Sequence, residues 1–198
     1  MNIITFINVK GGVGKTTISF NLSHAINKVA TKKVLLIDMD FQQNLTYKAM
    51  KDINDRNLTI YDLLYNEDTF ISDCIYDTHI PNCDIIPSEL KFNAITDQVD
   101  VSKNPNIFYM LKNKLNALEE EYDYVLIDTH PNLDLITTIA LMTSTHFIIP
   151  VKPESDSIYG IEFTTAYIEG IKKSHKNLTD LGIIITDVDR RTTLGKEM

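Results

Sequence analysis

The run Lys10-Gly-Gly-Val-Gly-Lys-Thr-Thr17 constrains this chain more than any other segment because of what flanks it. Before it stands an apolar, β-branched stretch, Ile3-Ile4-Thr5-Phe6-Ile7; after it Ile18, Leu22, Ala25, Ile26 and Val29 keep helical spacing. A strand that turns through glycines into a helix points backbone N–H groups and the positive helix end at an anion. The segment therefore reads as a phosphate-binding loop made by Gly11, Gly12, Val13, Gly14, Lys15, Thr16 and Thr17. In such a loop Lys15 reaches the β- and γ-phosphates of a nucleotide and the Thr16 hydroxyl ligates Mg²⁺. The glycine usual five residues before Gly14 is Val9 here, with Lys10 next to it. From the residues alone, Lys10 is either an exposed lysine or a second cation that offsets nucleotide charge.

Strand patterns recur at 3–8, 33–38, 83–87, 123–128, 145–151 and 181–186. Helical patterns lie between them, at 15–29, from Phe108 to Leu118 and from Ile158 to Ile171. This alternation predicts an α/β fold, a mostly parallel twisted sheet flanked by helices, with the 198 residues as a single domain. The pattern weakens over 46–82, where Ile60, Leu63 and Leu64 suggest one short helix at the sheet edge. The strand at 181–186 reads as buried. A net charge of −8 gives no support to a generally basic, nucleic-acid-coating surface. No apolar run approaches the roughly 20 residues of a membrane span. Cys74 and Cys83 form no C-x-x-C pair and no secretory leader is seen, so free thiols in a reduced, cytoplasmic setting are expected.

Two of the apolar strands end in acids: Val34-Leu35-Leu36-Ile37-Asp38-Met39-Asp40 and Tyr124-Val125-Leu126-Ile127-Asp128. Ligands of open parallel sheets sit at the carboxyl ends of the strands, so these acids converge on the edge that carries the phosphate loop. Mg²⁺ needs only one or two carboxylates besides water and phosphate, which makes Asp128 its main protein ligand, Asp38 its support and Thr16 the hydroxyl partner. Asp40, further out, is placed to position or deprotonate an attacking water.

With these pieces together, the chain resembles the ParA/MinD family of deviant Walker-type P-loop ATPases, most closely its ParA-like partition ATPases. The resemblance runs through Lys10–Thr17, Asp38-Met-Asp-Phe-Gln-Gln-Asn-Leu-Thr46, Ile85-Ile-Pro-Ser88, Tyr122-Asp-Tyr-Val-Leu-Ile-Asp-Thr129, Ile148-Ile-Pro-Val-Lys-Pro-Glu154 and Asp189-Arg-Arg-Thr192. It implies catalytic roles for Asp40, Lys10 and Lys15, with Lys10 crossing an ATP-sandwiched homodimer to the partner's phosphates. It also implies that Thr17 binds the α-phosphate, that the cofactors are ATP or ADP with Mg²⁺, and that the partners are a ParB-like centromere-binding adaptor and nonspecific DNA. No membrane partner is implied, and the location is the bacterial cytosol or nucleoid. Family members continue past the Asp189–Thr192 run, so the single P-loop ATPase domain 1–198 is expected to be either cut short at its C-terminal side or a natural short form.

The chain departs from that pattern at Phe41, where proline is expected, at Gln43, where a small residue is expected, and at His130, Asn132 and Asp134. Three other readings stay open: a MinD-like membrane-associated division-site ATPase, a non-hydrolysing nucleotide-dependent scaffold, and an electron-transfer ATPase like the nitrogenase iron protein. The last lacks support, since Cys74 and Cys83 do not follow the acid-ending strands.

Overall fold

The computed structural model describes residues 1–154 and 157–188, so the Asp189–Thr192 run lies outside the described residues. Among the described residues, seven strands form one sheet: β1 (Asn2–Phe6), β2 (Val34–Met39), β3 (Tyr76–Asp77), β4 (Cys83–Ile86), β5 (Tyr124–Thr129), β6 (His146–Val151) and β7 (Thr179–Ile185). Their order is β3-β4-β2-β5-β1-β6-β7, and all pairs are parallel except the two-residue β3 against β4. Parallel neighbours require crossover connections. The helices α1 (Lys15–Ala30), α2 (Asn44–Ala49), α3 (Ile60–Tyr65), α4 (Ile95–Gln98), α5 (Ile107–Leu115), α6 (Leu135–Thr143) and α7 (Ser157–Lys172) lie in those connections.

The two-residue period of the central strands sorts their side chains between two cores. Leu35, Ile37, Met39, Val125 and Ile127 meet Ile60 and Leu63 of α3, Leu111 of α5 and Ile136 and Ile139 of α6. Val34, Leu36 and Leu126, with Ile4 and Phe6, meet Leu45 of α2 and the partly buried Ile18, Leu22 and Ile26 of α1. A third cluster joins Ile7, Phe147, Ile149 and Val151 to Ile168, Ile161, Tyr167 and Ile171 of α7. Positions 38 and 128 share the parity of Leu36 and Leu126, so both acids face the layer that holds α1 and α2. Because β1 connects across the sheet in one direction and β5 in the other, their carboxyl ends border a topological switch point, where such sheets bind ligands.

Two expectations change in the folded chain, and two helical positions differ from their neighbours in burial. The short helix is present as α3, but Ile60, Leu63 and Leu64 are buried in the largest core instead of resting at an edge. Its start is set by a capping box: Thr59 Oγ1 accepts the Tyr61 N–H at 3.2 Å and Asp62 Oδ2 accepts the Thr59 N–H at 2.9 Å. Val29 and Ile158 keep helical spacing with their neighbours yet are 85% and 65% exposed, because one lies at the end of α1 and the other on the outer side of α7. The strand at β7 is an edge strand paired only with β6, and Leu181, Ile183, Ile184 and Ile185 are exposed rather than buried.

The core position of α3 has a measurable consequence. Leu63→Ala is expected to cost about 2–5 kcal/mol of stability in urea unfolding. A loss below about 1 kcal/mol would instead fit an edge helix.

Candidate nucleotide site

The turn between β1 and α1 needs glycine at two places, Gly12 with φ 73° and Gly14 with φ 92°. Gly14 is the N-cap of α1; no side chain caps this 16-residue helix and no acid occupies its first turn. Its leading amides are therefore directed at the cleft in front of the helix. That cleft, of about 420 Å³, is lined by Gly11 to Thr17, Asp40, Gln42, Asn44, Lys48, Thr129 and Pro131.

Two residues outside the glycine run hold the loop. Asn8 donates from Nδ2 to the Pro150 carbonyl at 2.7 Å and accepts the Lys10 N–H on Oδ1 at 2.9 Å. Thr186, just past β7, donates to the Val13 carbonyl at 2.9 Å. Lys15 is 6% exposed and its Nζ donates to the carbonyls of Asn8 at 3.0 Å and Lys10 at 3.1 Å. Burial lowers the Lys15 pKa, while Asp128 and Asp40 act in the opposite direction.

Asp38 and Asp128 are register partners on the adjacent strands β2 and β5, and both are 0% exposed. Their bonding differs sharply. Asp38 Oδ2 accepts from the Thr46 amide at 2.8 Å and the Thr46 hydroxyl at 2.7 Å, and Oδ1 accepts from the Asp40 amide at 3.0 Å. Asp128 has neither oxygen satisfied by a hydrogen bond. Burial, above all, raises both pKa values, that of Asp38 to about 6 and that of Asp128 well above the carboxylate range. The neighbouring Asp38 charge raises Asp128 further, whereas the Thr16 hydroxyl and the Lys15 ammonium pull it down. A buried, unsatisfied carboxylate beside a hydroxyl and an ammonium suits a divalent cation, which would supply the missing partner. The residues present therefore fit Mg²⁺ at Asp128 and Thr16, with Asp38 already bonded to the protein.

Asp40 lies past the end of β2, on the cleft wall, 7% exposed. Its Oδ1 accepts the Gln42 N–H at 2.9 Å, a local turn that fixes the carboxylate over the cleft. Lys10 lies beside the cleft lining, with Nζ 2.9 Å from Glu154 Oε2 and its side chain 19% exposed. The helix α7 approaches it closely: a Cβ added at Gly160 would lie 3.0 Å from Lys10 Cγ.

The family described as an AAA domain matches residues 1–181. The sporulation initiation inhibitor protein Soj of Bacillus subtilis is 35% identical over 197 residues, covering 98% of this chain and 75% of Soj. The chain is a ParA-like member of the ParA/MinD family. Among solved structures, the ParA-like chain is similar to cobyrinic acid a,c-diamide synthase of Mycobacterium smegmatis with bound ATP analog and magnesium. The TM-score there is 0.91 at 25% identity, over 100% of this chain and 79% of that one. A putative plasmid partition protein of Borrelia burgdorferi bound to AMPPNP gives a TM-score of 0.83 at 30% identity, covering 99% and 78%.

The folded chain thus gathers the glycine loop, Lys15, Thr16, Thr17 and Asp40 about one cleft, buries Asp128 beside Lys15 and Thr16, and leaves Lys10 at the cleft margin. Sequence reasoning passed over Asn8, Thr186, Asn44 and Lys48. Asn44 and Lys48 are spaced four apart on one face of α2, a signal that the weak pattern after residue 46 hid. Thr186 carries no local signal, since its partner is 173 residues away.

The raised carboxyl pKa values set a pH dependence. The folded chain keeps a proton on Asp38 that the unfolded chain releases, so the Asp38 contribution to stability of the nucleotide-free protein falls as pH rises from about 4 to about 6, and the raised Asp128 carboxyl continues the fall at higher pH. Asp128→Asn removes the unsatisfied charge and should stabilise the nucleotide-free protein by about 1–3 kcal/mol near pH 7.5, with the gain disappearing toward pH 4. Calorimetric scans of both proteins across that range test this; equal melting temperatures at neutral pH would contradict it.

Proposed function

We propose that this chain binds Mg²⁺–ATP in the cleft, forms a homodimer around it, and hydrolyses it as a switch in plasmid or chromosome partition. The observation that carries the reading is an uncapped helix N-terminus and a glycine turn at one cleft, with an unsatisfied, fully buried Asp128 beside the cleft residues Lys15 and Thr16. The nucleotide-bound neighbours of the same fold support it.

In this reading the amides of Gly11, Gly12, Val13, Gly14, Lys15, Thr16 and Thr17 cradle the phosphates, with Thr17 at the α-phosphate. Lys15 leaves its carbonyl partners for the β- and γ-phosphates. Thr16 and Asp128 hold Mg²⁺, and Asp38 backs them by tying β2 to α2 through Thr46. A bound Mg²⁺ supplies charge neutralisation across the β- and γ-phosphates. Asp40 orients a water for in-line attack on the γ-phosphorus, taking its proton as the bond to the β–γ bridging oxygen breaks. Lys10 acts in trans on the partner's nucleotide. Partners of this switch are a ParB-like adaptor that stimulates hydrolysis and nonspecific DNA. The setting is the cytosol or nucleoid, and among the described residues no helix is long and apolar enough to cross a membrane.

Steady-state phosphate release by the protein and by Asp40→Ala tests the hydrolytic assignment. Loss of at least about a hundredfold is expected; equal rates would leave only a nucleotide-binding scaffold. The dimer has its own check. Lys10→Ala and Gly160→Ala, the latter by displacing the Lys10 stem, should abolish or weaken ATP-dependent dimerisation in analytical ultracentrifugation. Nucleotide affinity of the monomer should stay within about threefold. DNA binding titrated with ATP, ADP and no nucleotide should require ATP and weaken with salt.

A further inference from the structure

His130 is 1% exposed, and a buried imidazole has two ring nitrogens to satisfy. Nε2 donates to Asp134 Oδ2 at 2.7 Å, while Nδ1 has no hydrogen-bond partner. Asp134 is itself held, because its Oδ1 accepts the Thr137 N–H at 3.2 Å as the N-cap of α6, and its carbonyl accepts the Tyr167 hydroxyl of α7 at 2.9 Å. The imidazole is thus fixed to the α6–α7 side of the site. It also meets Phe41, with ring centroids 5.9 Å apart and planes inclined at 49°. Tilted pairs at such separations attract by about 0.5–1.5 kcal/mol beyond their buried area.

Phe41 directly follows Asp40 and packs against the largest core. Proline, the residue expected at 41, restricts the backbone covalently through its ring. Phenylalanine leaves φ free, so the loop needs restraint from packing. On the far side, Gln43 takes a left-handed φ of 60° and is gripped by Arg56, whose Nη1 donates to Gln43 Oε1 at 2.6 Å. On the near side, the ring contact with His130 is what reaches across from β5.

We propose that His130 and Phe41 act as one brace that positions loop 40–43, making His130 a positioning residue for turnover and not for nucleotide affinity. The turnover part rests on the assignment of Asp40 to hydrolysis. The positioning part does not.

A double-mutant cycle tests both. His130→Gln keeps an N–H donor for Asp134 but deletes the ring, and Phe41→Leu keeps apolar packing but deletes the other ring. Each single variant should lower kcat about tenfold while Mg²⁺–ATP affinity, followed with a fluorescent nucleotide, stays within about twofold. In the Phe41→Leu background, His130→Gln should change kcat by less than about twofold, because the brace is already gone. Amide exchange at Gln42 and Gln43 in the nucleotide-free protein should quicken in both single variants. Multiplicative losses in the double variant, an unchanged kcat, or an affinity that falls in step with kcat would each overturn the proposal. If the parent protein hydrolyses no ATP, the proposed function fails instead, and exchange alone decides the brace: unchanged rates at 42 and 43 refute it. Should His130→Gln not fold, Phe41→Leu carries the same split between kcat and affinity and the same exchange measurement.

Discussion

The structure turns on one electrostatic constraint, two carboxylates placed side by side in a water-free sheet. Asp38 and Asp128 are register partners at the ends of the two most deeply buried strands, and neither touches solvent. Such a pair cannot both ionise without help. The chain supplies help to only one of them. Thr46 and the Asp40 amide satisfy Asp38, which ties α2 and the following loop to the end of β2. Asp128 is left with bare oxygens beside Lys15 and Thr16, an arrangement that weakens the nucleotide-free fold and suits a cation. The site is in this sense a stored instability of the kind that functional sites carry.

Around that pair the remaining parts have separable tasks. The glycine turn and the first turn of α1 offer donors to an anion. Asn8 and Thr186 pin the turn to β6 and to the end of β7, so its shape depends on strands far apart in sequence. Lys10 rests against Gly160 and Glu154 at the margin of the cleft. Loop 40–43 joins β2 to α2, and the rings of Phe41 and His130, which follow different strands, lie against each other there. Positioning in phosphoryl transfer matters because the protein contributes little covalent chemistry of its own.

Much of this was legible from residue order. The strand, glycine turn and helix at 3–29 are local in sequence, and the apolar runs ending at Asp38 and Asp128 place both acids at one sheet edge by topology alone. The folded chain keeps these elements, with α1 at Lys15–Ala30 and strands at Val34–Met39 and Tyr124–Thr129. Local pattern failed where an element's burial depends on what it packs against. Spacing suggested one short edge helix at α3, but its capping box aims Ile60, Leu63 and Leu64 into the main core. The apolar β7 resembles a central strand in composition and sits at the sheet edge, because strand order is a long-range property.

By itself the sequence determined the fold class, the glycine turn into α1 and which acids end the central strands, since each follows from short-range periodicity and from residue types with few alternative uses. Only the tertiary structure decided how those acids differ. Asp38 is satisfied because α2 folds back to place Thr46 beside it, and Asp128 is not, because Thr16 and Lys15 of α1 stand near it without completing a hydrogen bond to either oxygen. The same holds for His130, whose place between Asp134 and Phe41 joins residues 89 positions apart and carries no trace in the local pattern around either. Contacts between distant segments are set by strand order and register, and these emerge only when both cores are packed at once.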